Sequence, residues 1–404
     1  MANTFNVSSL VSKQLVQSLH AKGKLINTVN KSYSKDFTQK KYTPGTTVSM
    51  DIMHQPSITS GRVANVQDVE NITSSVTIGQ FNSAESFTSI EKGYSMDNEK
   101  DVKRYANDMA SRLIRQMELD GFTHMQNAIG NNVGTPGVDA GALRTWAEGR
   151  AKITDALGPD RDCYAAVNPM GHVALTDSLK GATNPGKAIS NQYLSGKMKN
   201  AAGLNFYESQ SISRQTAGTT TDFALDIDGT IATEGSTTLV LSLAGTGTIT
   251  AGTKLTVAGV NAVDPESKVS LSYLKQFTVT TDATIAGNAV TLTVSPAMYS
   301  SGSSHQNLSQ FPQDAAVVTL VNSGSASTVD AQNVIYDKDA FTLVSVPLPP
   351  ARGGAHTFAN FDGIQIRTGV GSWDAVNDDQ ILRVDIAYGW GTLRADHACV
   401  VWGD

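Results

Sequence analysis

Apolar positions along this chain change their period several times, and each change marks an element. Leu10, Val11, Leu15, Val16 and Leu19 share one stripe, which predicts a modest amphipathic helix from Val7 to about Leu25. Lys31 to Pro44 is polar, basic and without helical period, so it reads as an extended arm that cannot bury itself in its own subunit. Thr46–Ile52 and Thr73–Gly79 are strand-like and enclose a polar stretch with Pro56, Gly61 and Asn65, predicting a long β-hairpin. The strongest helical pattern runs from Asp97 to Ile129. There Val102, Tyr105, Met109, Leu113, Met117, Met125 and Ile129 recur at spacings of three and four or their multiples. Asp97, Glu99 and Asp101 suit the positive end of the macrodipole, and Glu99–Lys103 and Asp108–Arg112 are supportive pairs. Gly130-Asn131-Asn132 is expected to supply a left-handed exit. At 1.5 Å per residue such a helix is about 50 Å long and would act as a strut.

Further on, a helix is predicted from about Ala140 to Leu157, then a buried strand from Cys163 to Val167. Asn168-Pro169 offers an N-cap followed by proline at the first helical position, opening a helix to about Leu179. Between Gly218 and about Gln332 the pattern becomes Thr, Ser, Gly, Val and Leu with few charges, as in Thr237-Thr238-Leu239-Val240-Leu241 and Thr253-Lys254-Leu255-Thr256-Val257. Alternation broken by glycine predicts short antiparallel strands in a small barrel or sandwich inserted into an α+β body. Beyond it the pattern is again mostly β: Asn333–Val346, Gly363–Thr368, Ile381–Tyr388 and Ala395–Trp402. The expected division is an arm at 1–45, an extended hairpin at 46–94, a strut helix with its following helix at 95–160, an axial domain at 161–217, an inserted β-domain at 218–332 and return strands at 333–404.

Composition narrows the function. A chain of 404 residues can bury more than one core, and a net charge of −6 argues against a dedicated nucleic-acid binder. The charge is unevenly spread: Lys13, Lys22, Lys24, Lys31, Lys35, Lys40 and Lys41 face only Asp36 early on, while the insertion is acidic. Cys163 and Cys399 are far apart in apolar strand contexts, as buried thiols in a reducing compartment would be. Met1-Ala2-Asn3-Thr4-Phe5 does not open a signal peptide, and no apolar run suggests a membrane partner, so the expected site of synthesis is a cytoplasm.

Candidate chemistry is thin. Phe223 to Thr230 has the apolar-Asp-x-Asp-Gly-Thr form of haloacid-dehalogenase-type phosphatases, in which Asp226 would be the nucleophile and Asp228 the acid/base. That chemistry needs a parallel strand and a helical crossover, whereas another strand-like run follows, so a β-turn is the expected structure. The glycines from Gly245 to Gly252 lack phosphate-loop order, and the histidines show no metal-ligand spacing. Asp374, Asp378 and Asp379 form an acidic loop better read as a solvated turn. No catalytic residue, cofactor or metal is expected.

The order of elements resembles the major coat proteins of tailed double-stranded-DNA bacteriophages, the HK97-like fold, and within it the P22-like podovirus proteins with an inserted β-domain. Ala165-Ala166-Val167-Asn168-Pro169, Gly252 to Val260, Asn333 to Pro349 and Arg383 to Gly389 carry the likeness, in order along the chain. The resemblance implies a subunit that forms pentamers and hexamers of an icosahedral shell, with a scaffolding protein, a portal protein and packaged double-stranded DNA as partners. It implies maturation from a procapsid by subunit rotation and helix bending, with Gly121 as the candidate hinge. Lys31, Lys35, Lys40 and Lys41 would contact scaffold, DNA or a neighbouring copy. The hairpin has Arg62 but no lysine between Thr46 and Ile90, so a shell cross-linked by an isopeptide bond from that loop is not expected. The alternative from another class is a β-rich surface-binding module of the adhesin type.

Overall fold

The computed structural model describes residues 23–32, 47–52, 62, 72–88, 99–178, 198–219, 225–242, 245–301, 303, 305–321, 327–350, 355–361, 363–371 and 374–403. The helix expected at 7–25 therefore lies outside the described residues except at its end. The chain divides into two compact units, one of residues 1–50, 74–121 and 341–391, the other of 51–73, 122–340 and 392–404.

The first unit is a sheet with helices. Strands Phe341–Ser345, Asp379–Thr392, Ile364–Val370 and Ala355–Phe361 lie in that order, and Gly79–Thr88 pairs with Asp379–Thr392. That last pairing is antiparallel and unbroken from Gly79↔Tyr388 to Thr88↔Asp379. Residues 79–88, within the span expected to be hairpin, are thus a strand of this sheet. The two-stranded pairing itself joins Thr47–Ile52 and Ile72–Thr77. Alternation on Ile364–Val370 and Asp379–Thr392 puts Ile364, Ile366, Leu382, Val384 and Ile386 in the core.

The strut helix forms as its period demands, from Glu99 to Ala128 over 30 residues. Met109, Leu113, Met117, Met125 and Ile129 are all buried, as the apolar stripe requires. Burying each such side chain contributes roughly 1.5–3 kcal/mol before entropy is subtracted. The expected left-handed exit is absent: neither Gly130 nor Asn131 has a positive φ. Gly130 is needed for another reason, since a Cβ there would stand 2.6 Å from the Gln276 carbonyl oxygen.

The second unit contains a mixed six-stranded sheet and a barrel. The sheet runs Asn132–Val133, Ala398–Val401, Asn333–Tyr336, Cys163–Val167, Leu204–Glu208, Asn200–Ala201. Helix Leu143–Asp155 buries Trp146 and Ile153 against it, sharing a core with Cys163, Leu204, Phe206, Ile335 and Cys399. The Asn168 cap is as the sequence predicts: its Oδ1 accepts from the Gly171 N–H at 2.8 Å, and Pro169 opens the helix Pro169–Asp177. Between residues 225 and 321, strands Ser236–Ser242, Ala289–Met298, Ser270–Val279, Lys254–Val263, Val317–Val321 and Leu225–Ile227 close in that order into a barrel. Inward residues including Leu239, Leu241, Leu255, Val257, Phe277, Leu292 and Val294 fill it. Chain entry and exit lie side by side, because Arg214–Thr216 pairs antiparallel with Val329–Ala331.

Candidate functional site

In the first unit the described part of the expected basic arm, residues 23–32, is anchored. Helix Lys24–Thr28 buries Leu25 and Ile26 completely, and the Leu25 N–H donates to Glu118 Oε1 at 2.9 Å. The chain then leaves along the sheet: the Leu343 N–H and Thr342 Oγ1 both donate to the Asn30 carbonyl, at 3.0 and 3.1 Å. Lys31 follows immediately and is half-buried; Lys35, Lys40 and Lys41 lie outside the described residues. The site expected on the arm is thus represented only by its first lysine.

Gly121 lies at the division between the two units, which falls after it in the strut helix. A Cβ there would come within 2.6 Å of Trp390 Cζ2 and 2.8 Å of Leu25 Cδ2. The glycine is therefore a notch that lets the indole and the arm root reach the helix backbone. Trp390 Nε1 donates to the Met117 carbonyl at 3.1 Å, and the Tyr388 hydroxyl donates to Asp120 Oδ2 at 2.6 Å. Burial, reinforced by Asp120, pushes the Tyr388 phenol above its ordinary range. A glycine inside a strong helical pattern was the sequence signal for close packing here.

In the second unit the barrel meets the helix end and the sheet through a polar seam. On strand Lys254–Val263, Leu255 and Val257 point into the barrel, so the alternating Lys254 points out of it. Lys254 has no exposed surface, and its Nζ donates to the carbonyls of Gln126 (2.7 Å) and Ile129 (2.6 Å) and to Thr278 Oγ1 (2.8 Å). Ser295 Oγ donates to the Ala128 carbonyl at 3.2 Å. Gln276 Oε1 accepts from the Asn132 N–H and from Lys152 Nζ, both at 2.8 Å. Lys275 pairs with Asp396 at 2.8 Å, and the Tyr273 hydroxyl donates to Asp155 at 3.3 Å. Burial lowers the Lys254 pKa to about 7, and burial also pushes the nearby Cys399 thiol up to about 12. Sequence reasoning missed this lysine; an isolated charge in a strand otherwise apolar or hydroxylated was its only trace.

The remaining candidates do not converge. Asp226 is in a strand whose neighbours on both sides run antiparallel, and Asp228 leads into Gly229 in a turn, with φ +84° at the glycine. The phosphatase arrangement of a parallel strand and crossover helix is therefore not built. Asp374 accepts from the Val376 N–H and from Asn377, forming an ordinary side-chain-stabilised turn. Among the described residues no group of three or more His, Cys, Asp or Glu side chains could hold a metal ion, and no helix is long and apolar enough to cross a membrane.

A long helix, a strand-rich α+β body and side chains committed to packing and capping suit a structural subunit. A family model described as P22 coat protein, gene protein 5, matches residues 1–401. The chain belongs to the P22 coat protein family, and it is a structural capsid protein, not an enzyme. Its fold is similar to that of a chain from Mycobacterium phage Che8, with 11% identity over 93% of this chain and 89% of that one, TM-score 0.48. It is also similar to a chain of the bacteriophage PhiM1 mature capsid, with 13% identity over 88% and 81%, TM-score 0.42. The CUS-3 coat protein I-domain aligns with 19% identity over 24% of this chain and 96% of its own, TM-score 0.20. No curated protein sequence matches.

Proposed function

We propose that this chain is the major subunit of an icosahedral phage head, arranged as pentamers and hexamers around packaged double-stranded DNA. In this reading copies assemble in the host cytoplasm on a scaffolding protein, with a portal protein at one vertex, and the procapsid then expands. The observation that carries it is the family match over nearly the whole length. The backbone hydrogen bonds at Leu25 and Asn30 support it too, because they hold the chain in place immediately before the basic stretch. Residues 1–45 act as the arm, 46–94 carry the extended loop, 95–160 the strut, 161–217 the axial domain, 218–332 the inserted domain and 333–404 the return strands. Lys31, Lys35, Lys40 and Lys41 contact scaffold, DNA or a neighbouring copy, and Gly121 is the point at which the strut bends during expansion. The position of Gly121 at the unit division favours that role.

Co-expression with a candidate scaffolding protein, followed by negative-stain imaging, tests the proposal. Uniform closed shells are expected. Small discrete oligomers at every concentration, with or without scaffold, would favour the adhesin-type alternative and reject this one.

A further inference from the structure

The last turn of an α-helix leaves carbonyls without intrahelical donors, and helices commonly solve this locally with a left-handed residue after the end. The strut helix has the glycine and asparagines for that solution at Gly130, Asn131 and Asn132 and does not use it. Its final intrahelical bond is Ile129 N–H to the Met125 carbonyl, at 2.9 Å. The carbonyls of Gln126, Ala128 and Ile129 then receive donors from Lys254 and Ser295, residues more than a hundred positions downstream on two different barrel strands. The chain beyond is held by a third barrel strand in the opposite sense, the Asn132 N–H donating to Gln276 Oε1.

We propose that the inserted barrel is the C-terminal cap of the strut helix, and that Lys254 is the positioning residue through which barrel docking completes the helix's last turn. The charge fits the place. An ammonium with no carboxylate among its hydrogen-bond partners is costly to bury, but the negative end of a helix macrodipole is where a cation is best tolerated. Thr278, opposite Lys254 in the strand register, takes the third donor and fixes the side chain's direction. The seam around it is polar: Lys275 with Asp396, Tyr273 with Asp155, and Gln276 with Lys152. Such contacts hold one geometry and release as a set, unlike an apolar interface that can slide. Any displacement of the barrel from its seat therefore uncovers the helix carbonyls and frays that end of the strut. This role belongs to the subunit itself and does not depend on how copies tile a shell.

Hydrogen exchange read by mass spectrometry on the full chain tests the role. In Lys254→Met, peptides covering residues 122–133 should exchange roughly tenfold faster, while barrel strands 254–263 and 270–279 keep their protection. Unchanged exchange over 122–133 would overturn the proposal. So would a uniform acceleration across all peptides, which would make Lys254 a contributor to general stability and not a cap. Should that variant fail to fold, Ser295→Ala removes the Ala128 donor alone. A smaller acceleration confined to the same peptides supports the cap, and none overturns it.

Discussion

Lys254 gives the molecule a pH dependence whose sign can be worked out. In the unfolded chain its amine holds a proton up to about 10.5, whereas in the folded chain burial lets the proton go near 7. Between those values the unfolded state binds more protons, so stability should rise with pH; below about 7 the group is charged in both states and contributes no slope. Lys254→Met leaves two buried carbonyls without donors but also removes the buried charge. The local stability lost at the helix end in the variant should therefore grow with pH, by at most about 1.4 kcal/mol per unit. Hydrogen exchange over residues 122–133 in both proteins at several pH values, corrected for intrinsic exchange, checks this, and a pH-independent difference would contradict it. Gly121 makes an opposite kind of prediction. Alanine favours a helix interior by about 1 kcal/mol, but its methyl group must displace Trp390 and Leu25. Gly121→Leu should lower subunit stability by about 1–3 kcal/mol and shift Trp390 fluorescence, and an unchanged urea midpoint would argue against the notch.

Elements divide into those whose cause is local and those whose cause is distant. The strut, the strand Cys163–Val167 and the Asn168 cap were all legible, because period and capping chemistry act within a few residues. Asn168→Ala should cost about 1 kcal/mol, measured by thermal unfolding, since Gly171 N–H loses its acceptor. Distant causes left little trace. The glycine and asparagines after Ile129 announced a left-handed exit, yet the barrel covers those carbonyls, and a tertiary donor overrides the local signal. Residues 79–88 alternate as a hairpin strand would, but their partner lies about three hundred positions on, at Asp379–Tyr388. The expected small barrel or sandwich is a closed barrel, whose strand order was not legible because alternation fixes which side chains point inward and not which strands meet.

For the whole molecule, the family was readable because many short stretches keep one order along the chain, whereas the candidate sites were read unevenly. Charge asymmetry points to the arm lysines, of which only Lys31 lies among the described residues, just after a segment held at Leu25 and Asn30. Deleting residues 31–41 should therefore spare folding and abolish shells. Sedimentation should show soluble, compact subunits with no large particles, and normal particles from that deletion would refute the arm's part in assembly.

Cys163 and Cys399 sit on the two strands that flank Asn333–Tyr336, both free and both fully enclosed, with burial raising each thiol's pKa. Nature has thus placed a matched pair of silent reporters on either side of one central ribbon. A maleimide dye should ignore the native protein and tag both sulfurs together once that ribbon is pulled out, so a simple colour reaction would count misfolded copies in any preparation.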